Sequence, residues 1–68
     1  MSKIPAFSTA IYSGRLQIGY LNHHTKRIHL FHSPYSYYVH STRPGAFVFD
    51  HLGRRVGQLG FNGQMHRD

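Results

Sequence analysis

Apolar and polar residues alternate with a period of two along most of this chain, and glycine or proline interrupts nearly every stretch of ten. Leu16, Ile18 and Tyr20 fall on one side of an extended segment, with Arg15, Gln17 and Gly19 on the other. In the same way Ile28 and Leu30 oppose Arg27, His29 and Phe31, and Phe47 and Phe49 oppose Ala46 and Val48. The spacing of about 3.6 residues that a helix needs to bury one face is sustained nowhere, so the chain reads as strands. The alternation and its breaks predict strands over 7–12, 15–21, 27–32, 35–40, 46–50, 54–59 and 64–67. Phe47, Phe49, Ile18, Val56 and Leu59 are the expected core, and the strand over 35–40, apolar on both faces, is expected as an unpaired edge.

The connections are short. Ser13-Gly14 suits a tight hairpin, 22–25 a four-residue turn, and Arg43-Pro44-Gly45 a proline-first turn. His51-Leu52-Gly53 fits a three-residue hairpin with glycine in the left-handed position, and Asn62-Gly63 is the strongest hairpin signal in the chain. The expected architecture is an all-β antiparallel meander of six or seven short strands, with an SH3-like or OB-like small barrel as its structural competitor.

Part of the chain repeats. "GRLQIGYL" from Gly14 returns as "GRRVGQL" from Gly53. An apolar residue followed by an aromatic or histidine (Ile11-Tyr12, Leu30-Phe31, Val48-Phe49, Met65-His66) recurs at spacings of 19, 18 and 17 residues. One hairpin per unit is the physical reading, with the pair packing inward and a glycine where backbones approach closely. "IYSGRLQIGYL" and "VFDHLGRRVGQL", under half of the chain, resemble the bacterial four-fold β-flower domains, small proteins built of hairpin petals around a pseudo-four-fold axis. The middle unit, "LFHSPYSYYV", departs from that pattern, with Ser33 and Tyr38 in the two glycine positions. The resemblance implies a fold and carries no catalytic residues.

Sixty-eight residues hold one domain over 1–68, with 1–6 expected as a flexible N-terminal arm. A core of that size stabilises a fold only marginally, which favours a self-closing architecture or a second copy of the chain. There is no cysteine, so disulfides and thiolate metal sites are excluded. No apolar run approaches the roughly 18 residues of a membrane span, and the first ten residues lack the apolar stretch of a signal peptide. The expectation is a soluble, cytoplasmic protein.

Eight Lys and Arg face two Asp and Glu, a formal net charge of +6. Such a chain is drawn to nucleic acid, to anionic lipid or to an acidic protein surface. Its seven histidines lack metal-ligand spacing: His29 and His32 point to opposite faces of a strand, and His23 and His24 are neighbours in a turn. Neither a metal nor a cofactor is expected. Metal-free RNA cleavage needs a base, an acid and a cation. His29 with Lys26 and Arg27, or His40 with Tyr37 and Tyr38, would be the places to seek it, although paired carboxylates, a nucleophile elbow and a phosphate loop are all missing.

Aromatic and basic residues interleave in "TKRIHLFH" and "HSPYSYYVH". Rings on a sheet face beside Arg and Lys form a platform on which unpaired bases stack. The sequence therefore points to a non-enzymatic binding module for RNA, single-stranded DNA or another anionic partner, acting through Lys26, Arg27, His29, Tyr35, Tyr37, Arg54 and Arg55. Tyr35 and Tyr37 are expected outside and Tyr38 on the opposite face. A self-associating structural or interaction domain, present as a homo-oligomer, is the second reading; a small metal-independent RNase toxin is the third.

Overall fold

The computed structural model describes residues 7–68; the expected arm over 1–6 lies outside the described residues. The strands form where the alternation places them: β1 (Ser8–Ser13), β2 (Leu16–Asn22), β3 (Arg27–Leu30), β4 (Ser36–Val39), β5 (Phe47–Phe49), β6 (Arg55–Leu59) and β7 (Met65–Arg67). Each pairs antiparallel with the next, so sheet order equals chain order. A parallel bridge between Tyr12 and Gln64 brings the first strand to the last and curls the meander into a nearly closed barrel. No helix among the described residues is long and apolar enough to cross a membrane.

The turns are local chemistry. Asn22 accepts the His24 and Thr25 N–H groups on its side-chain oxygen (2.8 and 3.1 Å), and Lys26 takes a left-handed φ of 57° to re-enter the sheet. Ala46 N–H donates to the Arg43 carbonyl across Pro44-Gly45 (3.2 Å). Asn62 (φ 57°, ψ 31°) and Gly63 (φ 77°) are both left-handed, as a type I′ hairpin demands, and Gln64 N–H donates to Phe61 O (3.1 Å).

The repeat has a structural cause. In the first hairpin Ile11 faces Gly19 and Tyr12 faces Gln17, which leaves Ile18 as the extra residue of a β-bulge. In the β5–β6 hairpin Val48 faces Gly57 and Phe49 faces Arg55, which leaves Val56 in the same role. Both bulged residues pack on the core. The glycine after each lies beneath a third strand: a Cβ on Gly19 would overlap the His29 carbonyl oxygen, and one on Gly57 the His66 carbonyl oxygen. Thus β1–β2–β3 and β5–β6–β7 are equivalent three-stranded units, with β4 between them.

The core is Ile11, Leu21, Ile28, Leu30, Val39, Val48, Leu59 and Met65, one inward row per strand. Leu59 is buried as expected, with Ile18 and Val56 half-buried against the core. Phe47 and Phe49 are not core. Val48 occupies the inward position of β5 between Val39 and Gly57, which turns both phenylalanines outward and leaves Phe47 44% exposed. Likewise, in the repeated pairs only the aliphatic member packs inward. The strand expected as an edge, β4, is central, paired by β3 on one side and β5 on the other.

One side chain reinforces the closure made by the Tyr12–Gln64 bridge. The Gln64 amide donates from Nε2 to the Gly14 carbonyl (2.7 Å) and accepts the Gly14 N–H on Oε1 (3.1 Å), as a peptide group would. It ties the first hairpin tip to the start of β7, where the two end strands would otherwise present unpaired edges.

Candidate nucleic-acid interface

Most inward positions are taken by aliphatic side chains, so most of the aromatic and basic residues are left to the outer face. Arg27 on β3 stands opposite Tyr38 on β4, Tyr38 opposite Phe49 on β5, and Phe49 opposite Arg55 on β6. Directly paired residues project to the same side of a sheet. The result is one outward row across four strands, with rings in the middle and a guanidinium at each end. The Arg27 guanidinium lies 5.4 Å from the Tyr38 ring centroid, and that of Arg55 lies 4.6 Å from the Phe47 ring, both within cation–π range.

Beside this row the surface forms a cleft of about 380 Å³ walled by Tyr38, His40, Phe49 and His51. His40 packs edge-on against Phe49 at 5.0 Å. At the rim Tyr35 stacks on His51 with centroids 4.0 Å apart and planes within 9°. Along β3 a second cluster continues the surface, with His29 5.1 Å from Tyr20 and 6.4 Å from Phe31.

Electrostatically the face is positive because both acids are engaged. Asp50 Oδ1 accepts the Leu52 and Arg54 N–H groups (both 2.9 Å), and Oδ2 pairs with Arg54 Nε at 3.3 Å. The Arg54 backbone N–H is the chief reason its carboxyl is held below the usual range, against the opposing effect of burial. Asp68 binds Arg55 through Nε–Oδ2 at 2.8 Å and Nη2–Oδ1 at 3.3 Å. This hydrogen-bonded pair lowers the Asp68 carboxyl and raises the Arg55 guanidinium. Lys26 and Arg27 have no acidic partner among the described residues.

Of the seven residues singled out in the sequence, Arg27 and His29 lie side by side on the outer face, and Arg55 closes the far end of the same row. Tyr35 stacks on His51 and Arg54 pairs with Asp50, both at the 50–54 turn, and Lys26 sits in the β2–β3 turn. Tyr37 is displaced from the expected face: it pairs with Ile28 and packs half-buried against the core. Tyr38, assigned by sequence to the opposite face, is the outward ring, 37% exposed. The reason is alternation fixed by Val39, which must face Val48 inside; Tyr35 lies outside β4 and follows a Ser33 side-chain turn instead. His51 was not singled out, Phe49 was expected in the core, and His40 was named only beside Tyr37 and Tyr38 as a place to seek RNA cleavage. The phase of Val39 and Val48 was the signal for Tyr38 and Phe49; the two histidines join the cleft only through folding.

Among the described residues, neither His29 nor His40 hydrogen-bonds a side chain that would orient its ring; the ring that does is His23, held by Thr9 Oγ1. No three His, Asp or Glu side chains among the described residues converge as a metal site. Comparison with family models, with curated proteins and with solved structures returns no match to this chain, and the functional reading rests on the geometry of this face.

Proposed function

We propose that the chain binds single-stranded nucleic acid, RNA or DNA, on the outer face of β3–β6. Unpaired bases stack on Tyr38 and Phe49 in the cleft, and Lys26 and Arg27 meet the phosphates. The observation that carries this reading is the outward row Arg27–Tyr38–Phe49–Arg55. Three strand spacings of about 4.8 Å make the row some 14 Å long, room for more than one stacked base. Each base on an aromatic ring contributes about 1 to 3 kcal/mol without demanding a sequence.

Fluorescence anisotropy with a random single strand at about 50 and 200 mM salt tests it, because phosphate contacts make affinity fall with salt. Binding that weakens with salt, and by roughly 5- to 150-fold in Tyr38→Ala, is expected. No binding at either salt ends the proposal. Self-association is favoured by a different observation: Leu16 and Leu52 are 70% and 64% exposed at the β1–β2 and β5–β6 hairpins, on one end of the barrel. Sedimentation as a clean monomer at micromolar concentration would count against that reading.

A further inference from the structure

One position in the inward rows of the seven strands carries a cation. Along β7, Met65 faces Leu59 and is buried, His66 points out, and Arg67 returns to the inward row opposite Gly57, which on its other side faces fully buried Val48. The equivalent position in the first unit is Leu30, opposite Gly19 and buried. A guanidinium therefore stands where the repeat calls for leucine.

Arg67 is at the mouth of the barrel, at the end that carries the β1–β2 and β3–β4 connections, and its head reaches solvent there. It faces a cleft of about 250 Å³ walled by Ile18, Leu30 and Tyr37, with His32 at the rim. Both acids of the chain are committed elsewhere, Asp50 to Arg54 and Asp68 to Arg55, so Arg67 has no acidic partner among the described residues. The Tyr37 hydroxyl and the His32 ring also have no side-chain hydrogen-bond partner among them. An unpaired planar cation, two further polar groups and apolar walls converge on one space.

We infer that this cleft binds a small organic acid with a flat apolar body. Its carboxylate meets the Arg67 guanidinium in the two-pronged geometry that this fork favours, with His32 and the Tyr37 hydroxyl alongside. Its body fills the space between Ile18, Leu30 and Tyr37, which a bare phosphate would leave wet. The site lies inside the sheet, on the opposite face from the Tyr38–Phe49 cleft, so the two readings stand or fall separately.

Benzoate is the probe, titrated into the isotope-labelled protein to about 20 mM, a range suited to a fragment-sized ligand, with benzamide as the uncharged isostere and inorganic phosphate as the bare anion. The expected result is saturable amide shifts at Ile18, Leu30 and Arg67, with benzamide binding at least about tenfold more weakly and phosphate failing to compete. Arg67→Met should abolish the shifts while the rest of the spectrum stays native; if that variant fails to fold, the benzoate-to-benzamide ratio on the unmodified chain decides. No saturation, equal binding of benzamide, competition by phosphate, or full binding by a folded Arg67→Met would each overturn the inference.

Discussion

Releasing Arg55 from Asp68 should change how nucleic-acid affinity depends on salt, by an amount set by the charges on the outer face. Two cations adjoining the aromatic row lack an acidic partner, Lys26 and Arg27, whereas the Arg55 guanidinium is held by both Asp68 oxygens at 2.8 and 3.3 Å. Each phosphate neutralised on a single strand adds about 0.7 to the slope of log affinity against log salt. The unmodified chain should therefore show a slope near −1.4, an affinity loss of about sevenfold between about 50 and 200 mM salt. Asp68→Asn removes the competing carboxylate and should steepen the slope to about −2.1, a loss of about 18-fold over the same range. Arg27→Gln should flatten it to about −0.7. Arg67→Gln, which alters net charge by the same amount from inside the barrel mouth, should leave the slope unchanged. Anisotropy titrations at four or so salt concentrations resolve these differences. If Arg67→Gln flattens the slope as much as Arg27→Gln does, binding follows net charge and the outer row has no special standing.

Two further expectations concern the scaffold. Gly19→Ala and Gly57→Ala each drive a methyl into a backbone carbonyl of the next strand, which no rotamer relieves. Each should destabilise by about 1 to 3 kcal/mol in urea unfolding, the usual cost of overpacking, and an unchanged midpoint would contradict the close approach of β3 and β7. Acid should weaken the fold through its two carboxylates. Both are depressed, Asp50 chiefly by the Arg54 N–H and Asp68 by Arg55, so their contribution is present above the ordinary carboxylate value of about 4 and is lost as pH falls through the lower folded values. Thermal melts from pH 5 downward should show that decline, and Asp50→Asn with Asp68→Asn should flatten it; an equally steep decline in the double variant would assign it to other groups.

The strands and turns were legible because they are set by neighbours in sequence. Alternation fixes the segments, and Asn62-Gly63 or His51-Leu52-Gly53 fixes the reversal between them whatever the rest of the chain does. The face each ring takes was not legible where both sides of a strand are apolar. In β4 and β5 the choice between Tyr37 and Tyr38, or between Val48 and its flanking phenylalanines, is made by which set of side chains fits the interior. Small β-branched valines at the Val39–Val48 pair occupy that space and send the larger rings out. The bulges at Ile18 and Val56 and the Gln64 clasp on Gly14 are decided by pairing between strands, and the Asp68–Arg55 contact spans a hairpin. By contrast, the Asp50–Arg54 pair lies within one turn and was open to reading from spacing alone.

The two equivalent units separate what the backbone requires from what it leaves free. Both need an aliphatic bulge residue and a glycine after it, and both have them: Ile18-Gly19 and Val56-Gly57. Outward positions carry no such requirement, and there the units diverge: Tyr12 faces Gln17 in the first, where Phe49 faces Arg55 in the second. The ring-and-guanidinium pairing on the outer face is thus a property of the second unit, extended by Arg27 and Tyr38. The inward positions should tolerate no such divergence, since a charge placed among Val48, Leu59 and Met65 has to reach water or a partner. Leu30 and Arg67 nevertheless differ at an inward position, and only at the barrel mouth, where water or an anion is within reach. Packing explains why leucine is suitable there and supplies no reason for arginine; an anionic ligand does. With no ligand present, Arg67→Leu should therefore restore the symmetry of the two units, burying an added apolar side chain against Ile18 and Leu30, and raise stability by about 1 kcal/mol or more in urea unfolding. A loss of stability on that substitution would mean that the arginine is packing its own stem against those walls, and that the asymmetry is structural.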